Sequence, residues 1–296
     1  MYPDEFEYCE PETVADAIDL LEEHEPNETE LLAGGHSLLP AMKTGLSSPE
    51  VVIDIGDVDE LHGIAVDDDT LSVGAMNRYS DLLATADVHD HAPALAAALE
   101  QVGDRQVRNR GTIGGNLAHA DPASDLPAAA LVSDASFVVA GPDGERTVPA
   151  EEFYYGMYAT ELGPAEILTR IEIPSASDAV GTYAKKASPS SGYAMVGIAA
   201  LLTVDDGTVT SAKIGANGAM DHGVRLEPVE EVLVGESLDE ETISVAASHA
   251  ANGLDTALMM DDLQATGEFR AQLLEVYTER ALESATDRVS ALAGSD

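Results

Sequence analysis

Gly111-Thr112-Ile113-Gly114-Gly115-Asn116-Leu117-Ala118-His119-Ala120-Asp121-Pro122-Ala123-Ser124-Asp125-Leu126-Pro127 is the stretch on which the fold turns. Its opening glycines free the backbone to adopt φ > 0 and to come close to another segment or a ligand. Thr112 and Asn116 add a hydroxyl and an amide. Asp125 stands where the loop passes into an apolar, helical run. Loops of this kind can aim several N–H groups at one anion. Arg105, Arg108 and Arg110 lie just upstream, in a chain with only 14 Lys and Arg. A surface turn whose glycines serve geometry alone would account for the same residues.

A second stretch of the same kind argues for the ligand. Ala33-Gly34-Gly35-His36-Ser37 follows the apolar pair Leu31-Leu32 and precedes Leu38-Leu39-Pro40-Ala41-Met42-Lys43. Strand, glycine turn and short helix is an order that cradles phosphate. Two such loops point to a ligand with two phosphates held from both sides. Neither is G-x-G-x-x-G, and no G-x-x-x-x-G-K-[ST] occurs.

The length of 296 residues suggests two domains. A hydrophobic fraction of 45% is ample for real cores, so the net charge of −41 does not imply disorder. It implies an acid-coated surface, as expected of a salt-adapted protein. Such a field repels nucleic acid and anionic lipid. Cys9 is the single cysteine, which leaves no internal disulfide and no iron–sulfur cluster held by this chain alone. The segment from Met1 to Glu7 lacks a basic and an apolar region of secretory type. The apolar run Ala194 to Val204 is too short to span a bilayer. A cytoplasmic protein without membrane insertion is expected.

Hydrophobic periodicity orders the rest. Phe6-Glu7-Tyr8 suits an edge strand, Pro11 opens a helix with Val14, Ile18 and Leu21 on one face, and strands follow at 30–32 and 51–55. Residues 1–55 thus read as a small β-α-β-loop-α-β unit. A hairpin around Asp67-Asp68-Asp69, helices at about 78–85 and 92–102, and the main loop over 103–125 come next. A helix from Leu126, a hairpin around Pro142-Asp143-Gly144 and a strand over Ile167–Pro174 complete this part. Residues 175–179 read as a linker. Beyond it, strands at 182–186, 195–204 and 209–215 and helices at about 228–234, 239–252 and 267–290 suggest a three-stranded sheet with three helices.

Few residues offer acid–base or metal chemistry. The eight histidines are scattered, with His89 and His91 two apart as on a strand, and neither H-E-x-x-H nor G-x-S-x-G occurs. Ser37 beside His36 is no evidence of a nucleophile; Ser37 suits a helix cap equally. Asp125 either caps the following helix or accepts a ribose hydroxyl. Lys185 and Lys186 are neighbours on a strand, so one faces in. That lysine answers a carboxylate, a ligand anion or a carbonyl of an electron-poor ring. Tyr193, after Ser190-Ser191-Gly192, is either ordinary core or an aromatic lid over a flat ligand.

Together, Ala33–Pro40 and Thr112–Pro127 resemble the FAD-binding medium subunits of molybdenum hydroxylases. That family includes aerobic carbon monoxide dehydrogenase and the flavin part of xanthine dehydrogenase. The likeness extends over nearly the whole chain, including Gly267-Glu268-Phe269-Arg270 and Arg280-Ala281-Leu282. It implies an α+β fold: a two-subdomain FAD-binding domain of the vanillyl-alcohol-oxidase, or PCMH, type over 1–175 (subdomains about 1–55 and 56–175), then a small α+β domain over 180–290. It further implies that Leu32, Ala33, Gly34, Gly35, His36, Ser37 and Leu38, with Thr112, Gly114, Gly115 and Asn116, hold the pyrophosphate and neighbouring groups of FAD. Asp125 would reach the adenosine side, Leu168 pack on the cofactor, Lys185 approach the isoalloxazine, and Tyr193 stand near the ring. The family often has a basic residue and Gly-Asp-aromatic before that last position. Here the sequence is Pro189-Ser190-Ser191-Gly192-Tyr193.

The implied role is electron transfer without a catalytic acid or base. Electrons arrive from [2Fe-2S] clusters of a small partner subunit, served by a large molybdopterin subunit in a duplicated heterotrimer. They leave to a quinone, NAD or dioxygen. The cofactor supplies the organic chemistry and the protein its position and electrostatics. Three alternatives stand beside this: a stand-alone flavin reductase or oxidase, a flavin bound covalently through His36, and a scaffold without cofactor.

Overall fold

Parallel strands need crossover connections, and the first lobe is built that way. β1 (Glu7–Cys9), β2 (Thr29–Leu32) and β3 (Val51–Asp54) lie in the order β1-β3-β2, joined through helices α1 (Val14–Glu23) and α2 (Leu38–Thr44). The structure is a computed structural model and describes residues 2–24 and 28–293. Met1, where the N-terminal reading begins, lies outside the described residues. α1 begins later than Pro11 suggests. Thr13 and Asp16 form a capping box: Thr13 Oγ1 accepts the Asp16 amide at 3.0 Å, and Asp16 Oδ2 accepts the Thr13 amide at 3.1 Å. Pro11 therefore belongs to the chain entering the helix. Ile18 and Leu21 are buried in one core with Val51 and Ile53, and Val14 packs at its edge.

The second lobe centres on an antiparallel sheet. Its strands are β4 (Ile64–Asp67), β5 (Thr70–Gly74), β6 (Ser136–Gly141), β7 (Gly144–Pro149) and, after a small hairpin of β8 (Tyr154–Gly156) and β9 (Ala159–Thr160), β10 (Ile167–Pro174). Their order is β4-β5-β10-β6-β7. Helices α3 (Tyr79–Ala84), α4 (Ala86–His91), α5 (Pro93–Gln101), α6 (Arg105–Arg108), α7 (Ile113–His119), α8 (Leu126–Val132) and α9 (Ala150–Phe153) connect them. Two expectations change here. His89 and His91 lie at the end of a helix, not on a strand. Residues 103–125 are not one loop: Asp104 accepts the Gln106 and Val107 amides at 2.8 and 2.9 Å to start α6, and Gly114 and Gly115 fall in the first turn of α7. Glycine disfavours a helix by only about 1 kcal/mol, and packing overrides it.

β11 (Val180–Ala187), β12 (Ala194–Asp205), β13 (Thr208–Asn217) and β14 (Val224–Arg225) form the antiparallel sheet of the C-terminal domain, backed by α10 (Glu227–Leu233), α11 (Glu240–Ala247) and α12 (Gly267–Ala293). The expected three-stranded sheet thus has a fourth strand. β14 is too short to show alternation. Arg225 fixes it by donating to both carboxylate oxygens of Glu230, at 2.8 and 2.9 Å. Expected helix 239–252 stops at Ala247, where the Ser248 hydroxyl turns back to the Val245 carbonyl at 2.7 Å.

Alanine and glycine make the seam between the two domains. A Cβ on Gly181 would collide with the backbone of Pro93 and Ala94, and one on Gly215 would fall 2.9 Å from the Ala128 carbonyl oxygen. The alanine-rich helices α5 and α8 therefore run directly against β11 and β13. Tyr183, Ala199 and Leu201 join the core of the second lobe. This contact carries Asp125, at the start of α8, onto the C-terminal sheet.

Candidate functional site

The two glycine stretches meet backbone to backbone. A Cβ on Gly34 would fall 2.6 Å from the Arg110 carbonyl oxygen and 2.9 Å from Gly111 Cα. One on Gly115 would fall 2.7 Å from Thr112 Oγ1 and 3.0 Å from Ala33 Cβ. No side chain fits at either position without moving the other loop. An antiparallel bridge between Arg78 and Thr112 holds the second loop, with the Tyr79 amide on the Gly111 carbonyl and the Ile113 amide on the Asn77 carbonyl, each at 3.1 Å.

Such a meeting leaves donors unspent. Gly35 takes φ +75°, and Ser37 stands at the head of α2 without a side-chain capping bond. Among the described residues, the amides of Ala33, Gly34, Gly35, His36 and Ser37 have no protein acceptor. The buried Thr112 hydroxyl also has none. Buried polar atoms are nearly always paired, so this orphan marks a place for a ligand. The Gly114 amide is different. It donates to the Ala75 carbonyl at 2.8 Å, and a Cβ there would strike Ala75, so Gly114 serves the packing of α7.

Around these loops the other expected residues divide. Leu32, Ala33 and Leu38 are half-buried at the first loop, and His36 is exposed. Asn116 Oδ1 accepts the Ser124 hydroxyl at 2.6 Å, and the buried Tyr79 phenol approaches the Asn116 side chain. Tyr193 is 41% exposed and its phenol approaches Ser37, which puts this ring over the first loop, outside the core. Burial and the charge of Asp121 raise its pKa. Leu168 lies in the core on β10, where a bulge follows it.

Asp125 is engaged by the C-terminal domain. It stands at the head of α8 with no capping bond. Its Oδ1 accepts the Tyr183 hydroxyl at 2.7 Å and its Oδ2 pairs with Lys185 Nζ at 2.7 Å, both charged side chains 6% exposed. The structure brings Asp125 and Lys185 together, whereas the resemblance puts them at opposite ends of the cofactor. Burial raises the Asp125 pKa, and Lys185 and Tyr183 pull against that rise. The C-terminal domain also positions the segment before Asp125. The Gly218 amide donates to the Pro122 carbonyl at 2.7 Å and the Ala194 amide to the Ala123 carbonyl at 3.1 Å. Beneath them the buried Arg270 guanidinium donates to the Met195 and Gly218 carbonyls, at 2.5 and 2.6 Å, and to Asp262 at 2.8 Å.

Sequence reasoning missed Tyr183, Asn217 and Arg270. Strand period offered one signal: Tyr183 and Lys185 are two apart on β11 and share a face. The scarce cations were visible. Among the described residues, Lys43, Arg78, Arg105 and Arg110 have no carboxylate partner, and all four are exposed on segments that carry or flank the two loops.

Free amides, an orphan hydroxyl and nearby cations form a donor set that fits a pyrophosphate. Residues 4–176 match the family described as FAD binding domain in molybdopterin dehydrogenase, and residues 182–285 match the CO dehydrogenase flavoprotein C-terminal domain. The carbon monoxide dehydrogenase medium chain of Hydrogenophaga pseudoflava is 36% identical over 97% of this chain and 99% of its own length. The glyceraldehyde dehydrogenase medium chain of Sulfolobus acidocaldarius is 30% identical over 96% and 99%. The solved carbon monoxide dehydrogenase of Hydrogenophaga pseudoflava that lacks the Mo-pyranopterin moiety superposes with a TM-score of 0.90, at 36% identity over 97% of this chain and 99% of that one. This chain belongs to the FAD-binding medium subunits of molybdenum hydroxylases, the carbon monoxide dehydrogenase family. It is an oxidoreductase subunit whose cofactor is FAD.

Proposed function

We propose that this chain carries electrons within a molybdenum hydroxylase complex. It takes them from [2Fe-2S] clusters of a small subunit and passes them to an external acceptor, a quinone, NAD or dioxygen. A large molybdopterin subunit completes a duplicated heterotrimer. The cofactor-binding part is 1–175, with lobes 1–55 and 56–175, and the part over 180–290 closes one side of the site. The acid-coated surface belongs to a salt-adapted, cytoplasmic protein.

The observation that carries the reading is the orphan Thr112 hydroxyl beside the free amides of Ala33 to Ser37, where the two loops meet. Bound FAD supplies the capacity to hold two electrons and release them to a different acceptor. The chain's own residues position it. The amides of Ala33 to Ser37, with the Gly115 turn and the Thr112 hydroxyl, grip the pyrophosphate. Leu32 and Leu38 flank the grip, His36 and Asn116 border it, and Leu168 backs it from β10. Lys185, held by Asp125, presents its ammonium to the ring. Tyr193 covers the ring and excludes water. No residue of the site needs to move a proton.

A visible spectrum of the purified chain in molar salt, before and after acid precipitation, tests this. Flavin colour that stays in the supernatant supports non-covalent FAD. Colour in the pellet would indicate a bond through His36. A complex reconstituted with its partners that holds no flavin contradicts the proposal.

A further inference from the structure

The buried group at the seam contains more than an ion pair. Tyr183 Oη lies 2.7 Å from Asp125 Oδ1 and 3.0 Å from Asn217 Oδ1. Gly197 leaves the room for it, since a Cβ there would collide with the hydroxyl. A phenol has one proton to give. Asp125 takes it, being the nearer and the charged acceptor. Asn217 Nδ2 is buried and has no acceptor. The two ends of an amide have the same shape. Turned over, Nδ2–H donates to the Tyr183 oxygen and leaves a bare carbonyl, the milder fault. The polar chain then runs in one direction, from Asn217 to Tyr183 to Asp125, while Lys185 donates to the other carboxylate oxygen. Among the described residues, Lys185 Nζ has no second partner, so two of its N–H groups remain for a ligand.

We infer that Tyr183 is a positioning residue: acting through Asp125, it fixes the Lys185 ammonium at the place where it meets the flavin ring. The inference rests on the function proposed above. Without the hydroxyl, Asp125 keeps one partner instead of two, and its carboxylate is free to turn from Lys185. A fixed positive charge beside the ring favours the electron-rich form of the cofactor, so its loss lowers the reduction potential.

Midpoint potentials of the FAD-loaded protein, measured for wild type, Tyr183→Phe, Lys185→Met and the double variant, test this. Lys185→Met is expected to lower the potential and Tyr183→Phe to lower it less. Tyr183→Phe is expected to add nothing once Lys185 is gone. A tenfold loss in affinity for the reduced over the oxidised cofactor reads as about 30 mV for a two-electron couple. Asn217→Leu, expected to give a smaller shift in the same direction, serves if Tyr183→Phe does not fold. A Tyr183→Phe shift that persists in full in the double variant overturns the inference. So does a wild-type potential in Tyr183→Phe, or in Lys185→Met, with FAD still bound; the subunit reading then stands. A wild-type complex without flavin overturns both.

Discussion

The glycine cradle and the Asp125 cluster are built of opposite materials. The cradle is backbone: amides without acceptors, kept apart by positions where no Cβ fits. The cluster is side chain: Asp125, Lys185, Tyr183 and Asn217, drawn from α8 and two strands of the other domain and sealed from water. The cradle is left unsatisfied within the protein. The cluster is largely satisfied within the protein, apart from the remaining N–H groups of the Lys185 ammonium. Binding strength should therefore reside in the cradle, and control of the ring's electronics in the cluster.

The sharpest way to break that division is Gly34→Val. The new side chain would strike the Arg110 carbonyl and force the loops apart. FAD affinity is expected to fall more than about a hundredfold, some 3 kcal/mol, in an equilibrium titration. Overpacking should lower stability by about 1–3 kcal/mol, read by denaturant unfolding. If the valine protein binds FAD as wild type does, the loops do not form the grip.

Asp125→Ala attacks the other region. It strands Lys185 in a buried position, and breaking such a pair costs about 3–5 kcal/mol. Unfolding in denaturant without FAD should show that loss, which sets it apart from a cradle variant. Full stability would mean that the Lys185 ammonium finds water or another partner.

Thr112→Val sharpens the contrast. The hydroxyl has no partner in the protein, so thermal unfolding without FAD should be unchanged. FAD affinity should weaken by about 1 kcal/mol, roughly fivefold. A clear loss of stability would show that the hydroxyl is already satisfied.

The smallest effect is expected from Arg105→Ser combined with Arg110→Ser. These exposed charges act through solvent, and their influence on FAD affinity should amount to about twofold at low salt and vanish at molar salt. A salt-independent effect would assign them a direct contact.

The same contrast explains what could be read from the chain. The cradle was legible because its chemistry is local: Gly34-Gly35 and Gly114-Gly115 are contiguous, and a glycine turn between strand and helix has a physical meaning in one dimension. The sheets were legible from alternation, down to the turn at Pro142-Asp143-Gly144. β14 and the start of α1 were not, because β14 has too few residues to alternate and α1 begins where Thr13 and Asp16 cap each other. The cluster was only half legible. Asp125 and Lys185 stood out singly, but nothing in the sequence joins residues brought together by α5 and α8 pressing on Gly181 and Gly215. Arg270 was visible only as part of a family likeness, although its guanidinium ties α12 to the strands that hold Pro122 and Ala123. Gly114 marks the opposite error: its place in the motif suggests a ligand contact, while its amide is spent on Ala75.

A crystal structure of the chain with FAD tests the central claim most directly. The account predicts the pyrophosphate within hydrogen-bond distance of the amides over Ala33–Ser37 and of Thr112 Oγ1. A pyrophosphate bound elsewhere, with Thr112 Oγ1 still unpaired, would contradict it.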